Sequence, residues 1–376
     1  MVDKTESNRI KVYDFFSGCG GTSAGLRNSG MDIVLGLDFD KDAGETFTRN
    51  FPESNFICAD IREIKQEDLE IYIDKNPNRD NKILFTGCAP CQPFSVLNRW
   101  RDSHLKKIRS EEEFKVSIEK EKLKENLLLQ FIRFIKYYLP DFIFVENVPG
   151  FQKISSEHGP FRELLRVLDE LGYHYPEPRI VEMKKYGVPQ RRRRIVIIAS
   201  RLGKIDYPKE THDGEHIPFV TVFDKIGGKN ALPPIAAGEK HPWIPNHQAA
   251  NLSELNLQRI KSLLPGQNRL YWADDLKLKC HKGKDHVYSD VYGRLFWNEP
   301  ATGLTTKCIS LSNGRFGHPD QNRAISTREA ARLQTFSDDF IFEGPLTSVA
   351  RQIGNAVPTL FAERFGDNFF EHLRQV

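Results

Sequence analysis

The sequence predicts an α/β protein with a doubly wound sheet and a second, smaller domain of irregular structure. Short apolar runs that suit buried strands alternate with helical patterns between residues 10 and 199. Proline, glycine and histidine interrupt this periodicity between residues 204 and 319, and regular patterns then resume. We therefore expect one domain to comprise residues 1–203 and 320–376, and the other to comprise residues 204–319.

The predicted elements begin with a strand over 10–16, a glycine turn and a helix over 22–28. Ser326 or Thr327 suits the start of a later helix, because a side-chain oxygen there can accept from the first free N–H groups. Further strands are expected at 33–37, 83–86, 142–145 and 195–199, and further helices at 127–138, 161–171, 326–336 and 358–373. This alternation predicts a largely parallel sheet.

Composition limits the classes of protein that need be considered. The 376 residues include 54 Lys and Arg against 51 Asp and Glu, a net charge of +3 that neither requires nor excludes a polyanionic partner. The six cysteines do not resemble a secreted disulfide framework. No apolar run approaches the roughly 18 residues of a membrane span. We expect a soluble cytoplasmic protein, with a monomer as the default state.

The glycine turn after the first strand is a candidate cofactor site. Glycines allow a ligand to approach the backbone, and the following helix offers free N–H groups. The spacing across Phe16–Gly21 differs from the usual dinucleotide fingerprint, and Asp38 ends the second strand, where a carboxylate can bind ribose hydroxyls. This favours a nucleoside cofactor without a pyrophosphate. The alternative is that the glycines serve only a tight turn.

Cys91 is a candidate nucleophile. It follows the strand over 83–86, and therefore lies at the sheet edge where open α/β sheets bind ligands. A thiol fixed between prolines at that edge can attack a substrate if it ionises readily. A redox pair with Cys88 and a partial metal site are the alternatives. The metal site is disfavoured because no second cysteine pair follows.

Charged side chains are expected near the same edge. Glu146 directly follows the strand over 142–145, where it is either a strand-end ion-pair partner or a proton donor to an electron-poor ring. Arg192 and Arg194 precede the next strand, and alternate residues of an extended segment face the same side. Two converging guanidinium groups suit phosphate or carboxylate binding, although a basic run is also typical of solvated surface.

These segments resemble the ordered motifs of the cytosine-5 DNA methyltransferases, in particular those of bacterial restriction-modification systems. The resemblance extends from Asp14 to Pro358 and rests on six segments in order: 14–21, 90–92, 146–148, 190–194, 323–334 and 352–358. It implies a mixed sheet of the S-adenosylmethionine-dependent methyltransferase type and an irregular DNA-recognition domain. It also implies methyl transfer from S-adenosylmethionine to carbon 5 of a cytosine in a specific duplex sequence, with S-adenosylhomocysteine as product and no metal.

The resemblance also implies residue roles. Cys91 would add to carbon 6 of a flipped-out cytosine. Glu146 would contact ring nitrogen 3 and the amino group, Arg194 the carbonyl, and Arg192 the groups nearby. The implied cofactor-binding residues are Phe16, Gly18, Cys19, Gly21, Asp38, Phe39, Asp60, Ile61, Pro90, Leu127, Asn355 and Val357. Asp38 stands where the family more often has glutamate, and Cys88 departs from the usual pattern and receives no role.

Double-stranded DNA is the expected partner. The candidate DNA contacts are Gln92, Ser95, Arg99, Arg269, Arg294 and Thr305. Surface solvation or core packing is the alternative for those in the irregular domain, and the segment from Arg99 to Arg109 is either a loop that closes over the minor groove or an exposed helix. A cognate restriction endonuclease encoded nearby and association with the bacterial nucleoid are further expectations.

Three rival functions remain. A tRNA-acting cytosine-5 methyltransferase is disfavoured by the long irregular segment, which resembles the DNA-acting branch. A catalytically silent DNA-binding regulator is disfavoured because Cys91, Glu146, Arg192 and Arg194 are all present. A Rossmann oxidoreductase is disfavoured by the spacing of the glycine turn and by the lack of an evident hydride-transfer constellation.

Overall fold

The computed structural model describes residues 9–76, 79–89, 127–150, 159–281 and 289–376. The strands are β1 (Ile10–Phe15), β2 (Asp32–Asp38), β3 (Asn55–Cys58), β4 (Lys82–Gly87), β5 (Phe142–Asn147), β6 (Arg179–Glu182), β7 (Gln190–Arg191), β8 (Arg193–Ser200) and β9 (Ala301–Thr302). The helices are α1 (Gly21–Asn28), α2 (Lys41–Asn50), α3 (described over 127–138), α4 (Pro160–Glu170), α5 (Val222–Ile226), α6 (Glu254–Lys261), α7 (Thr327–Leu333), α8 (Leu346–Asn355) and α9 (Thr359–Leu373).

Seven strands form one sheet in the order β3-β2-β1-β4-β5-β8-β6. The pairs β1/β2, β1/β4, β2/β3 and β4/β5 are parallel, whereas β8 runs antiparallel to β5. The sheet is therefore mixed and mostly parallel, and the predicted α/β fold class is confirmed. A separate two-stranded ladder joins β7 to β9.

Helices cover both faces of this sheet, as its apolar strands require. On one face the Phe15 ring lies 5.1 Å from Phe134 of α3, between ring centroids. On the other face Phe142 and Phe144 of β5 contact Phe369 and Phe365 of α9, with centroids 5.1 and 5.3 Å apart. Because successive residues of a strand point to opposite faces, a continuous apolar run such as that of β5 can pack against both layers.

All five strands and all five helices predicted from the sequence are present, with small shifts at their ends. Ser326 caps α7 as expected, and a reciprocal capping box with Glu329 completes that helix start. The strands β3, β6, β7 and β9 and the helices α2, α5, α6 and α8 were not predicted from the sequence. The strand β3 is only four residues long, and its half-buried residues Phe56 and Ile57 are too short an apolar run to indicate a strand by themselves.

The described residues group into two compact units. The first draws on Met1–Val181, Arg193–Lys209 and Ala362–Val376, and the second on Glu182–Arg192 and Glu210–Phe361. This grouping differs from the boundaries expected from the sequence at 182–192, 204–209 and 320–361. The functional domain boundaries stay a prediction, because packing and function need not divide a chain at the same residues.

The second unit has little regular structure between residues 210 and 319. Its described part there contains the short helices α5 and α6, the strand β9 and several single turns of 3₁₀ helix. A small apolar cluster that includes Ile260, Leu263, Trp272 and Leu311 lies inside it. Within the described ranges of the chain, no helix is both long enough and apolar enough to cross a membrane.

Candidate active site

The topology of the sheet brings the ends of four strands to one edge. Because β1, β2, β4 and β5 are parallel, their carboxyl ends share one edge of the sheet. Phe16 and Cys88 directly follow β1 and β4, whereas Asp38 and Glu146 are the last and the last-but-one residues of β2 and β5. The antiparallel strand β8 begins at this edge, and Glu146 pairs with Val196 in the backbone register. This places the side chain of Arg194 within reach of Glu146.

The turn after β1 has a specific backbone conformation. Phe16, Gly18 and Gly20 all have positive φ, at 62°, 52° and 90°. The Ser17 N–H donates to the Leu37 carbonyl at 3.0 Å, which fastens the turn to β2. A Cβ at Gly20 would lie 2.5 Å from the Phe51 ring, so glycine is required there by both its φ and its neighbour.

Asp38 organises this turn through its carboxylate. One oxygen accepts from the Gly18 N–H at 2.9 Å and the other accepts from the Asp40 N–H at 2.9 Å. Burial raises the pKa of Asp38, and the two backbone donors oppose that shift. Each carboxylate oxygen has two lone pairs, so both can accept another hydrogen bond from a ligand hydroxyl.

A second carboxylate, Asp14, lies beneath the turn and is almost fully buried. Ser23 Oγ donates to it at 2.6 Å, and Thr86 Oγ1 donates to its other oxygen. Asp14 thereby ties the start of α1 to β4. Burial raises the pKa of Asp14 to about 6.

The other expected cofactor residues of the first unit have varied surroundings. Phe39 is 66% exposed, so its ring is open to a ligand. A Cβ at Gly18 would meet nothing within 4 Å, which marks open space beside the turn. Asp60 is bound by Arg62, which lowers the pKa of that carboxyl. The residues Cys19 and Ile61 are buried, Leu127 packs partly buried against the main core, and Gly21 begins α1.

Asn355 and Val357 lie in the second unit at the end of α8. Asn355 is exposed and is the last residue of that helix, whereas Val357 is buried two residues later. The remaining expected cofactor residue, Pro90, lies outside the described residues, as do Cys91, Gln92, Ser95 and Arg99.

Glu146 and Arg194 form an ion pair at the carboxyl edge. The Arg194 Nε lies 3.0 Å from Glu146 Oε1, and the side chains are only 19% and 9% exposed. The sequence placed both residues at this edge, and the structure brings them together. A carboxylate beside a guanidinium, both largely shielded from water, can bind the polar edge of a planar ring that offers donors and acceptors side by side.

Asn147 was not singled out by sequence reasoning. It is 3% exposed, its Nδ2 donates to the Ala89 carbonyl at 3.3 Å, and its Oδ1 accepts from the Val148 N–H at 2.8 Å. It therefore joins the end of β5 to the end of β4. A polar residue directly after Glu146 was the available signal, but its partner is 58 residues away in the chain.

Cys88, which had no assigned role, lies among the same groups. Its Sγ is 3.9 Å from Thr22 Oγ1. Burial raises the pKa of the Cys88 thiol, and the neighbouring charges of Glu146 and Asp14 raise it further. A raised pKa favours the neutral thiol, which is the less nucleophilic form of a cysteine.

Arg192 lies in the second unit and is 4% exposed. Its Nη1 donates to the Leu304 carbonyl at 3.1 Å and to the Gly354 carbonyl at 3.2 Å. Each of these carbonyls directly precedes a residue expected in the site, Thr305 or Asn355. These contacts hold the backbone of two segments together, and the role of Arg192 toward a substrate stays a prediction.

The candidate DNA contacts of the irregular domain differ in exposure. Thr305 is partly exposed. Arg294 is 2% exposed, and its guanidinium donates to the carbonyls of Leu263, Ile260 and His318 at 2.7–2.8 Å. We therefore withdraw Arg294 as a DNA contact, because its donors are used inside the protein. Arg269 is also buried, at 4% exposed, and is withdrawn for the same lack of access.

Comparison with known proteins agrees with this geometry. The model of the family described as C-5 cytosine-specific DNA methylase matches residues 10–371. Type II methylase M.HgiDII of Herpetosiphon aurantiacus is 37% identical over 352 residues, covering 92% of this chain and 91% of that protein. Type II methyltransferase M.NgoFVII of Neisseria gonorrhoeae is 30% identical over 363 residues, covering 94% and 84%.

The fold is also similar to that of solved structures. A candidate DNA modification methyltransferase encoded within an E. coli prophage has a TM-score of 0.71 at 23% identity, covering 97% of this chain and 99% of that one. This chain belongs to the C-5 cytosine-specific DNA methylase family. It is accordingly a DNA (cytosine-5) methyltransferase, and the oxidoreductase alternative is wrong.

Proposed function

We propose that the chain transfers a methyl group from S-adenosylmethionine to carbon 5 of a flipped-out cytosine through a covalent Cys91 adduct. The observation that supports this most directly is the shielded Glu146–Arg194 pair at 3.0 Å. Asn147 adds to it by holding the carbonyl of Ala89, two residues before Cys91 in the sequence. The pair supplies an acceptor and a donor to one ring edge, and the contact to Ala89 links that edge to the last described residue before Cys91.

The turn after β1 suits the nucleoside and amino-acid parts of S-adenosylmethionine. The Asp38 carboxylate has lone pairs left for ribose hydroxyls, and the open space beside Gly18 leaves room for a ligand. Ser17 Oγ is buried and has no hydrogen-bond partner among the described residues, so it has bonding capacity to offer a ligand. When bound, S-adenosylmethionine supplies an electrophilic methyl group.

The chain's own residues would carry the remaining chemistry. The Cys91 thiolate adds to carbon 6 of cytosine, and the ring electrons move toward carbon 5. Glu146 holds the proton that ring nitrogen 3 acquires as this adduct forms, while Arg194 binds the carbonyl oxygen. After carbon 5 is methylated, a base takes the carbon 5 proton, ring nitrogen 3 returns its proton to Glu146, and the restored double bond expels the Cys91 thiolate. The bond between the Cys91 sulfur and carbon 6 that forms in the first step is thus broken in the last.

Access to carbon 6 requires that the cytosine leave the duplex. Removing a stacked, paired base costs a few kcal/mol, which contacts to the DNA must supply. We propose that residues 204–319 provide these contacts, with partly exposed Thr305 among them. Gln92, Ser95 and Arg99 stay candidates from the sequence. The biological role that we propose is protection of host DNA within a Type II restriction-modification system in the bacterial cytoplasm.

The test is transfer of tritiated methyl from S-adenosylmethionine to mixed-sequence duplex DNA, with tRNA as a parallel substrate. Label should appear in DNA as 5-methylcytosine. The Cys91→Ser variant should lose transfer, and Glu146→Gln should lower the rate by about 10²- to 10⁴-fold, the range for a lost general acid.

Three outcomes would contradict parts of this proposal. Label in tRNA rather than DNA would move the substrate to RNA. Full activity of Cys91→Ser would exclude the covalent adduct. Transfer by Glu146→Gln at the wild-type rate would remove Glu146 from proton transfer while leaving the adduct intact.

A further inference from the structure

The helix α7 ends in a strained turn. The Thr335 N–H donates to the Arg332 carbonyl and the Phe336 N–H donates to the Ala331 carbonyl, both at 3.0 Å. This is a Schellman pattern, in which glycine or asparagine normally takes the left-handed position. Here that position holds Thr335, with a φ of 63°. A β-branched residue persists at such a φ only where the surrounding structure holds it there.

The segment that begins α9 provides that hold. The Leu360 N–H donates to Thr335 Oγ1 at 2.9 Å, and the Thr359 hydroxyl donates to the Thr335 carbonyl. The Thr359 N–H also donates to the carbonyl of Gln334 at 3.2 Å. The strained turn is therefore fastened to the chain directly after Pro358.

This arrangement fixes the side chain of Gln334, which is fully buried. Its Nε2 donates to the carbonyls of Ile353 and Ala356, at 2.5 and 3.2 Å. Its Oε1 accepts from the Nε2 of a second fully buried glutamine, Gln190, at 2.8 Å. Since that oxygen must face Gln190, the amide can present its donors only to the two carbonyls.

The two carbonyls bracket Gly354 and Asn355 at the end of α8. The last carbonyls of a helix lack partners within the helix, so their direction depends on outside donors. A Cβ at Gly354 would overlap the backbone of Thr305, so this turn also has no room to shift in that direction. Gln334 holds the carbonyls on either side of the Gly354 carbonyl that Arg192 binds, and it thereby helps to fix the backbone from which the exposed Asn355 side chain leaves.

We infer that Gln334 is a positioning residue for S-adenosylmethionine binding, held in place by the strained Thr335. The inference rests on the proposed function, under which Asn355 and Val357 contribute to cofactor binding. A glutamine that only filled the core would not need a strained turn to aim its amide. Gln334 acts through the turn and does not itself touch the ligand.

The test is binding of S-adenosylhomocysteine to the full chain without DNA, measured by calorimetry together with the melting temperature. Gln334→Met keeps the side-chain volume and removes the amide, and we expect the Kd to rise about 10-fold, as for a lost buried hydrogen bond to a site. KM for S-adenosylmethionine should rise by the same factor, while KM for DNA stays within about twofold.

A matched control is Asn246→Gly, since Asn246 also has positive φ and binds the Phe342 backbone through its side chain. It should lower the melting temperature without changing the Kd. Thr335→Gly is a second variant. It relieves the backbone strain, so the melting temperature should not fall. It also removes the hydroxyl that binds the Leu360 N–H, so the Kd should rise about threefold, which corresponds to part of the free energy of one hydrogen bond. If Gln334→Met fails to fold, this variant decides alone.

The inference is overturned if Gln334→Met or Thr335→Gly binds S-adenosylhomocysteine like the wild type. It is also overturned if Asn246→Gly weakens binding by the same factor, because a general loss of stability would then explain the effect. Absence of binding by the wild-type chain would instead overturn the proposed function, and the inference with it.

Discussion

The Glu146–Arg194 pair gives the sharpest test of the site. At a distance of 3.0 Å and an effective dielectric constant of about 20, the Coulomb attraction between the two charges is about 5 kcal/mol. Desolvation offsets part of this attraction, because the side chains are 9% and 19% exposed. We expect Arg194→Met to lose about 2–4 kcal/mol of transition-state stabilisation, or about 30- to 900-fold in kcat/KM.

The control and the readout separate catalysis from folding. Arg193 is the exposed neighbour whose side chain leaves the strand on the opposite side, so Arg193→Met should keep kcat/KM within about twofold. Affinity for S-adenosylhomocysteine should not change in Arg194→Met. The turn after β1, which Asp38 of β2 holds, lies on different strands from Glu146 and Arg194, which are on β5 and β8. In urea denaturation, adding Glu146→Gln to Arg194→Met should restore part of the lost stability, since no unpaired buried charge then remains.

Two results would refute this reasoning. One is wild-type kcat/KM in Arg194→Met, which would show that the pair has no part in the reaction. The other is a loss of S-adenosylhomocysteine affinity equal to the loss of kcat/KM, which would show that the substitution disturbs the whole sheet edge.

Three further predictions concern the cofactor turn, a close contact and pH. Asp38→Ala should weaken S-adenosylmethionine binding by about 10- to 100-fold in calorimetry, as for lost hydrogen bonds to a charged group. Gly354→Ala should destabilise the protein by about 1–3 kcal/mol in urea, because its Cβ would overlap the Thr305 backbone, whereas Gly303→Ala, with ordinary contacts, should cost under about 0.5 kcal/mol. Burial raises the pKa of Asp14 from 3.8 to about 6, so the folded protein retains a proton that the unfolded chain releases. Stability should therefore fall by up to about 3 kcal/mol between pH 4 and pH 7, and Asp14→Asn should abolish that slope in urea denaturation; an unchanged slope would exclude Asp14 as its source.

The sequence was sufficient for five of the seven strands of the sheet and for part of the site. Apolar runs such as 142–145 identify buried strands, and the alternation of strands and helices then places Asp38 and Glu146 at one edge. The pairing of Glu146 with Arg194 needed one more fact, the antiparallel direction of β8. Local patterns do not encode that direction.

Contacts between residues that lie far apart in the chain could not be predicted from the sequence. Gln190 binds Gln334 across 144 positions. Gln190 precedes the basic run Arg191–Arg194, which looks solvent-exposed, and Gln334 lies near the end of a predicted helix with no local sign of burial. Their burial depends on the fold of the second unit, where carbonyls outside regular ladders need donors. The pattern of apolar and polar residues along the chain does not indicate which backbone carbonyls will require a side-chain donor.

The same requirement explains why a buried arginine was mistaken for a DNA contact. A domain with few helices and strands leaves many backbone carbonyls without ladder partners, and a guanidinium offers five N–H donors in a fixed plane. Arg294 satisfies carbonyls from two separate segments, at Ile260 and Leu263 and at His318. Arg328 likewise donates to the carbonyls of Pro245 and Phe340, at 3.0 and 2.8 Å. Arginines that hold an irregular domain together and arginines that bind phosphates are therefore indistinguishable by residue type and local sequence. Burial separates them, and the DNA contacts of this enzyme should be sought among the side chains that the irregular domain leaves exposed.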